Sequence, residues 1–195
     1  MEYLNAPGIV PDRLEARRYQ IAAARACMRE NTLVILPTGM GKTTVALIVA
    51  AEVLGNGGKV LMMAPTKPLV DQHAQFFGEF LEGHTIGLCN GNMSPEKRTD
   101  VLLASDMVIS TPQCIANDLR EGNYGLTSFG LVIYDEAHKA VGNYAYVEVA
   151  KHVPNRTIQM GMTASPGYDL KKIESVCNNL SLSGIFVRTE EDPDV

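Results

Sequence analysis

The 195-residue chain contains no tryptophan, few aromatic residues of any kind (6%), and only four cysteines, Cys27, Cys89, Cys114 and Cys177. None of the cysteines forms a Cys-x-x-Cys pair, which excludes a zinc knuckle or dithiol redox motif and leaves dispersed buried thiols. His73, His84, His138 and His152 show no metal-ligand spacing either. No stretch approaches the roughly 18 consecutive apolar residues of a membrane span. The opening MEYLNAPGIVPDRLEARRYQ lacks the basic-then-apolar layout of a secretory leader. The expectation is a soluble, cytoplasmic protein with no membrane partner. A broad basic field is missing as well, because 17 Lys and Arg face 22 Asp and Glu for a net charge of −5. Nucleic acid could then be held only through backbone amides and helix N-termini, which need no excess of positive charge.

What the chain does have is alternation. Continuous apolar runs recur in TLVILP, KVLMMAP, HTIGLCN, DMVISTP, LVIYDE, RTIQMGMTA and, more weakly, GIFVRT, with helix-like stretches between them. Unbroken rather than alternating runs suit parallel strands buried on both faces. Helix starts are marked too, as at Ser94-Pro95-Glu96-Lys97, where Ser can cap and Pro can take the first helical position. The pattern predicts an α/β fold: a three-layer α/β/α sandwich around a mostly parallel sheet, formed as one domain over residues 1–195. The acidic, proline-interrupted tail RTEEDPDV reads as a boundary or linker.

In open parallel sheets, ligands bind beyond the carboxyl ends of the strands. LPTGMGKT follows the first run, APTKP the second, STPQ the fourth, DEAH the fifth and TASPG the sixth. In LPTGMGKTT, Gly39 and Gly41 let amides from Thr38 to Thr44 turn inward around Met40. The following helix points its positive end at the same place. Lys42 can reach the outer phosphates of a nucleoside triphosphate and Thr43 can ligate Mg²⁺. The usual first glycine of this phosphate loop is Leu36 here. An ordinary glycine turn is the plainer alternative. Asp135 ends a buried run, where a carboxylate needs a partner, and a link to Mg²⁺ supplies one. Glu136 beside it is placed to orient and deprotonate water, although an Asp-Glu pair at a strand end can also be a helix cap. The catalytic candidates are therefore Lys42, Asp135 and Glu136, and the cofactors are ATP and Mg²⁺.

RRYQ, LPTGMGKT, APTKPLV, STPQ, DEAH and TASPG, in this order, make the chain similar to the first RecA-like domain of superfamily-2 helicases and translocases. YDEAHKAVGNYAYVEVAK, MTASPG and VRTEEDPDV more narrowly resemble the archaeal Hef and Fanconi anaemia M-type DNA motors. The resemblance implies that Gln20, with Arg17 and Tyr19, recognises adenine. It implies that Thr66, Lys67, Gly91, Thr111, Pro112 and Gln113 contact one nucleic-acid strand, and that His138, Thr163 and Ser165 couple nucleotide state to domain movement. Asn90-Gly91-Asn92 stands where the family carries a threonine-glycine-glutamate element. A second RecA-like domain of the same polypeptide, with the arginine that completes the ATP site, is expected outside these residues. The implied partner is branched or single-stranded DNA, in a nucleoid setting if the source is archaeal. A Dicer-like or RNA-sensor helicase acting on double-stranded RNA, and a nucleotide-binding module without turnover, stay open as alternatives.

Overall fold

The computed structural model describes residues 2–164 and 169–195. Two short strands, β1 (Glu2–Tyr3) and β2 (Glu15–Ala16), pair antiparallel ahead of α1 (Arg18–Arg29). Strand and helix then alternate: β3 (Thr32–Ile35), α2 (Lys42–Gly55), β4 (Lys59–Met63), α3 (Lys67–Phe80), β5 (Ile86–Cys89), α4 (Pro95–Ala104) and β6 (Met107–Ser110). The series continues through α5 (Pro112–Arg120), β7 (Phe129–Tyr134), a single 3₁₀ turn at Ala137–Lys139, α6 (Ala145–Ala150), β8 (Ile158–Thr163), α7 (Leu170–Leu180) and β9 (Gly184–Val187).

Among the described residues, β3 to β9 form one seven-stranded sheet in the order β5-β6-β4-β7-β8-β3-β9. Every pairing in it is parallel. All seven strands fall on the apolar runs read from the sequence. The β1–β2 hairpin was not anticipated, because strands of two residues carry no periodicity.

Alternate residues of the inner strands feed two cores. Val34, Val60, Met62, Ile133 and Met162 face α1, α2 and α3, whereas Leu33, Ile35, Leu61, Met63 and Tyr134 face α5, α6 and α7. Burial of each such side chain contributes about 1.5–3 kcal/mol. Helix α2 is apolar around most of its circumference (VALIVAAEVL), as suits a helix enclosed between the sheet and α1. Helix α4 starts as the sequence implied, with the Ser94 hydroxyl accepting the Lys97 N–H at 3.3 Å and Pro95 in the first turn. Three thiols lie in the core. Burial pushes Cys27 up to about 12 and Cys89 up to about 11, which leaves both poorly nucleophilic.

One buried ion pair fastens the second core. Arg98 of α4 makes a two-pronged contact with Asp118 of α5, at 2.7 and 2.6 Å, and its other end donates to the Met93 carbonyl. Burial would raise the Asp118 carboxyl, but hydrogen bonds from Arg98 and Tyr124 outweigh it and hold the group below the ordinary range. Its contribution is therefore present above the ordinary carboxylate pKa and is lost as pH falls through the lowered value. Replacing Arg98 with Ala leaves Asp118 charged and fully buried, so urea unfolding at pH 7 should show a loss of about 3–5 kcal/mol. The loss should shrink under acid. An Arg98→Met, Asp118→Leu double variant should recover most of it.

Candidate functional site

Among the described residues, the glycine loop after β3, APTKP after β4, Asn90-Gly91-Asn92 after β5, STPQ after β6 and DEAH after β7 lie at the carboxyl edge of the sheet. After β3 the chain passes through Leu36 and Pro37 into a turn with Gly39 at φ 87° and Gly41 at φ 74°. Gly41 is the residue before α2, so the helix N-terminus opens directly onto the loop. Among the described residues, the amides of Thr38, Gly39, Gly41, Lys42 and Thr43 make no backbone hydrogen bond. A ring of unpaired donors at a helix N-terminus is a cradle for an anion, and it fits a phosphate group. The Lys42 ammonium lies over the loop and donates to the carbonyls of Leu36 at 2.8 Å and Pro37 at 3.3 Å. Burial lowers its pKa, and the nearby carboxylates of Glu136 and Asp135 partly oppose that shift. Loop and acidic pair therefore face each other.

The loop is held from behind by α1. Tyr19 Oη donates to the Met40 carbonyl at 2.8 Å, and the Gln20 side-chain amide donates to the same oxygen at 3.0 Å. Gln20 Oε1 in turn accepts the Arg17 N–H at 2.8 Å. Tyr19 is fully buried. Arg17 is exposed and Gln20 is nearly buried. Thr38 is exposed, Thr43 half-buried, and Thr44 buried inside the first turn of α2.

Asp135 and Glu136 follow β7. Asp135 is 6% exposed, and its Oδ1 accepts the Glu136 N–H at 3.0 Å. Glu136 takes left-handed backbone angles, φ 53° and ψ 46°, at a cost on the order of 1–2 kcal/mol for a residue other than glycine. That conformation turns its carboxylate back toward His138, whose Nδ1 lies 3.3 Å away. The same nitrogen is 3.0 Å from Thr163 Oγ1 at the end of β8. His138 thus joins Glu136 to Thr163. Ser165 lies outside the described residues.

The loops expected to meet a nucleic-acid strand lie further along the same edge. Thr66 precedes α3, and Lys67 is exposed and paired with Asp71 at 2.6 Å. Gly91 sits in an exposed turn closed by the Asn92 N–H on Asn90 Oδ1. Thr111 precedes α5, Gln113 is exposed, and Pro112 is buried. Pro112 therefore sets the start of the helix, and any contact with a strand at this loop falls to its neighbours.

Two residues reach the acidic pair without having been picked out in the sequence. His73 of α3 places Nε2 2.7 Å from Asp135 Oδ2, and Tyr146 of α6 places Oη 2.6 Å from the Asp135 carbonyl and 3.0 Å from that of Met63. His73 lies outside every quoted motif, and Tyr146 lies within YDEAHKAVGNYAYVEVAK without a role of its own there; both come from the buried faces of helices, where spacing marks only core positions.

Residues 17–173 match the DEAD/DEAH box helicase family. The chain is 41% identical over 99% of its length to MJ1505 of Methanocaldococcus jannaschii, named provisionally as an ATP-dependent RNA helicase, and covers 25% of that protein. It is 36% identical over 96% of its length to a mouse Fanconi anemia group M protein homolog, covering 10% of it. The ATP-dependent DNA helicase MPH1 of Vanderwaltozyma polyspora is 35% identical over 96% of the chain, which covers 19% of that protein. The chain therefore spans between a tenth and a quarter of the length of these relatives. The crystal structure of the Pyrococcus furiosus Hef helicase domain superposes with a TM-score of 0.87 at 42% identity, covering 92% of this chain and 40% of that one.

A Cβ at Gly41 would lie 2.2 Å from Gln20 Nε2, whereas one at Gly39 meets nothing within 4 Å. Gly39→Ala should cost only the backbone strain, about 1–2 kcal/mol. Gly41→Ala should cost more in the same urea titration. In a Gln20→Ala background, the two glycine substitutions should become equal.

Proposed function

The chain belongs to the DEAD/DEAH box helicase family, and from that premise we propose that it is the ATP-binding half of an ATP-dependent DNA helicase or translocase acting on branched or forked DNA. The observation that carries this reading is that the glycine loop and the acidic pair meet at one edge: Leu36 N–H donates to Thr163 O at 3.2 Å, and His138 Nδ1 lies 3.0 Å from Thr163 Oγ1 and 3.3 Å from the Glu136 carboxylate. The likeness to the yeast protein, an ATP-dependent DNA helicase by name, supports DNA as the substrate.

The unpaired amides of Gly39, Gly41, Lys42 and Thr43 hold the phosphates, and Lys42 exchanges its loop carbonyls for the terminal phosphate oxygens. Thr43 and Asp135 hold Mg²⁺. No cluster of three or more His, Cys, Asp or Glu side chains converges among the described residues, and Mg²⁺ needs none, since it keeps several waters and takes few protein ligands beside phosphate. When bound, the ion neutralises charge on the phosphate oxygens. Glu136 orients the attacking water in line with the scissile bond and accepts its proton. His138, between Glu136 and Thr163, reports the state of that carboxylate to the end of β8. Thr66, Lys67, Gly91, Thr111 and Gln113 follow one strand along its phosphates, with Pro112 fixing the turn.

A second RecA-like domain of the parent polypeptide supplies an arginine to the same phosphates. Such an arginine is worth on the order of 10³–10⁵ in rate, so this chain alone should bind nucleotide and turn it over slowly. No helix among the described residues is long and apolar enough to cross a membrane. The name of the Methanocaldococcus relative favours a second reading, with RNA as the ligand. ATPase stimulation of the parent protein should be stronger with forked DNA than with duplex RNA; the reverse order would transfer the assignment to RNA. Glu136→Gln should leave nucleotide affinity intact and lower turnover by roughly 10²–10⁴-fold, the usual size of a general-base contribution. Unchanged turnover would remove Glu136 from its role.

A further inference from the structure

Building on that assignment of the nucleotide site, we propose that His73 is a positioning residue for the metal-holding carboxylate of Asp135. Helix α3 buries Val70, His73 and Phe77 against the sheet, a spacing that asks for an apolar side chain at each position. Position 73 carries an imidazole instead, with its side chain 9% exposed and Nε2 2.7 Å from Asp135 Oδ2. An ionised carboxylate only accepts hydrogen bonds, so Nε2 donates. The other carboxylate oxygen accepts the Glu136 N–H at 3.0 Å. Each oxygen is then fixed by one donor and keeps lone-pair capacity for a metal-bound water.

The backbone beneath is fixed as well, since the Asp135 N–H donates to Met63 O at 3.0 Å and the Asp135 carbonyl accepts from Tyr146. His73 is therefore the contact that selects the rotamer of a carboxylate whose main chain is already set. Partners of this kind orient ligands before the metal arrives, and their loss costs on the order of 10–100-fold in metal affinity. The placement has a second consequence. Thr66 is the N-cap residue of the same helix and Lys67 begins it, about 9 Å along the axis from His73 at 1.5 Å per residue. A shift of α3 on contact with a strand would carry His73, and with it Asp135.

The test is the ratio of mant-ATP affinities with Mg²⁺ and with EDTA, measured on wild type, Asp135→Asn, His73→Leu and His73→Gln. Wild type should bind more tightly with Mg²⁺, and Asp135→Asn should lose that gain. His73→Leu should lose it by on the order of tenfold while keeping its affinity in EDTA. His73→Gln, whose amide nitrogen reaches the place of the ring Nε2, should restore it. A wild-type ratio in His73→Leu, or an equal loss with and without Mg²⁺, would overturn the proposal. Should His73→Leu fail to fold, His73→Asn takes its place: its shorter amide should lose the gain that Gln keeps, and equal ratios for the two would overturn the assignment. A wild-type chain with no Mg²⁺-dependent gain would overturn the nucleotide-site reading itself, whatever the variants show.

Discussion

The hydrogen-bond ladder of the sheet continues past the strand ends, and these last rungs join one motif to the next. Leu36 N–H donates to Thr163 O at 3.2 Å, Ala64 N–H to Ser110 O at 3.1 Å, and Asp135 N–H to Met63 O at 3.0 Å. The phosphate loop is thereby tied to the end of β8, the APTKP loop to STPQ, and the acidic pair to the end of β4. Because all seven strands run in the same direction, their carboxyl ends must share an edge, and loops far apart in sequence become neighbours there. The site is a consequence of strand direction before it is a consequence of any particular side chain.

Within that edge, the loop is arranged for an exchange of partners. Lys42 rests on the carbonyls of Leu36 and Pro37, so its charge is solvated by its own loop; in the proposed function it would exchange them for phosphate oxygens. Loss of hydration by burial is opposed by Glu136 and Asp135, and the balance leaves the ammonium easier to deprotonate than an exposed lysine. Tyr19 and Gln20 converge on Met40 O and fix the loop from the side away from the ligand. The left-handed backbone at Glu136 is a further cost accepted at the site, and the Asp135 carboxylate helps to hold it there.

Much of this was legible in the sequence, for a physical reason. Strands buried on both faces must be continuously apolar, so TLVI, KVLMM, MVIS and LVIY announced themselves. Gly39 and Gly41 mark positions where φ is positive, and a side chain at Gly41 would displace Gln20. The hidden part is polar chemistry placed at core positions. His73 and Tyr146 occupy buried stripes of α3 and α6, where spacing reports burial but not partner, and their contacts with Asp135 span 62 and 11 residues of chain. The hydrogen bond from Tyr19 to Met40 O is hidden in the same way, because nothing in RRYQ announces a contact 21 residues on. Pro112, drawn toward the strand by its motif, is a helix starter.

The central claim is that the unpaired amides of the glycine loop and the carboxylates after β7 receive the same ligand. Hydrogen exchange followed by mass spectrometry, on the chain with and without Mg²⁺ and ATP, measures this directly. The account predicts slowed exchange in peptides covering residues 36–45 and 134–139, with a smaller effect at the start of α1 and none in α4. Protection confined to another surface, or no protection at saturating nucleotide, would contradict it.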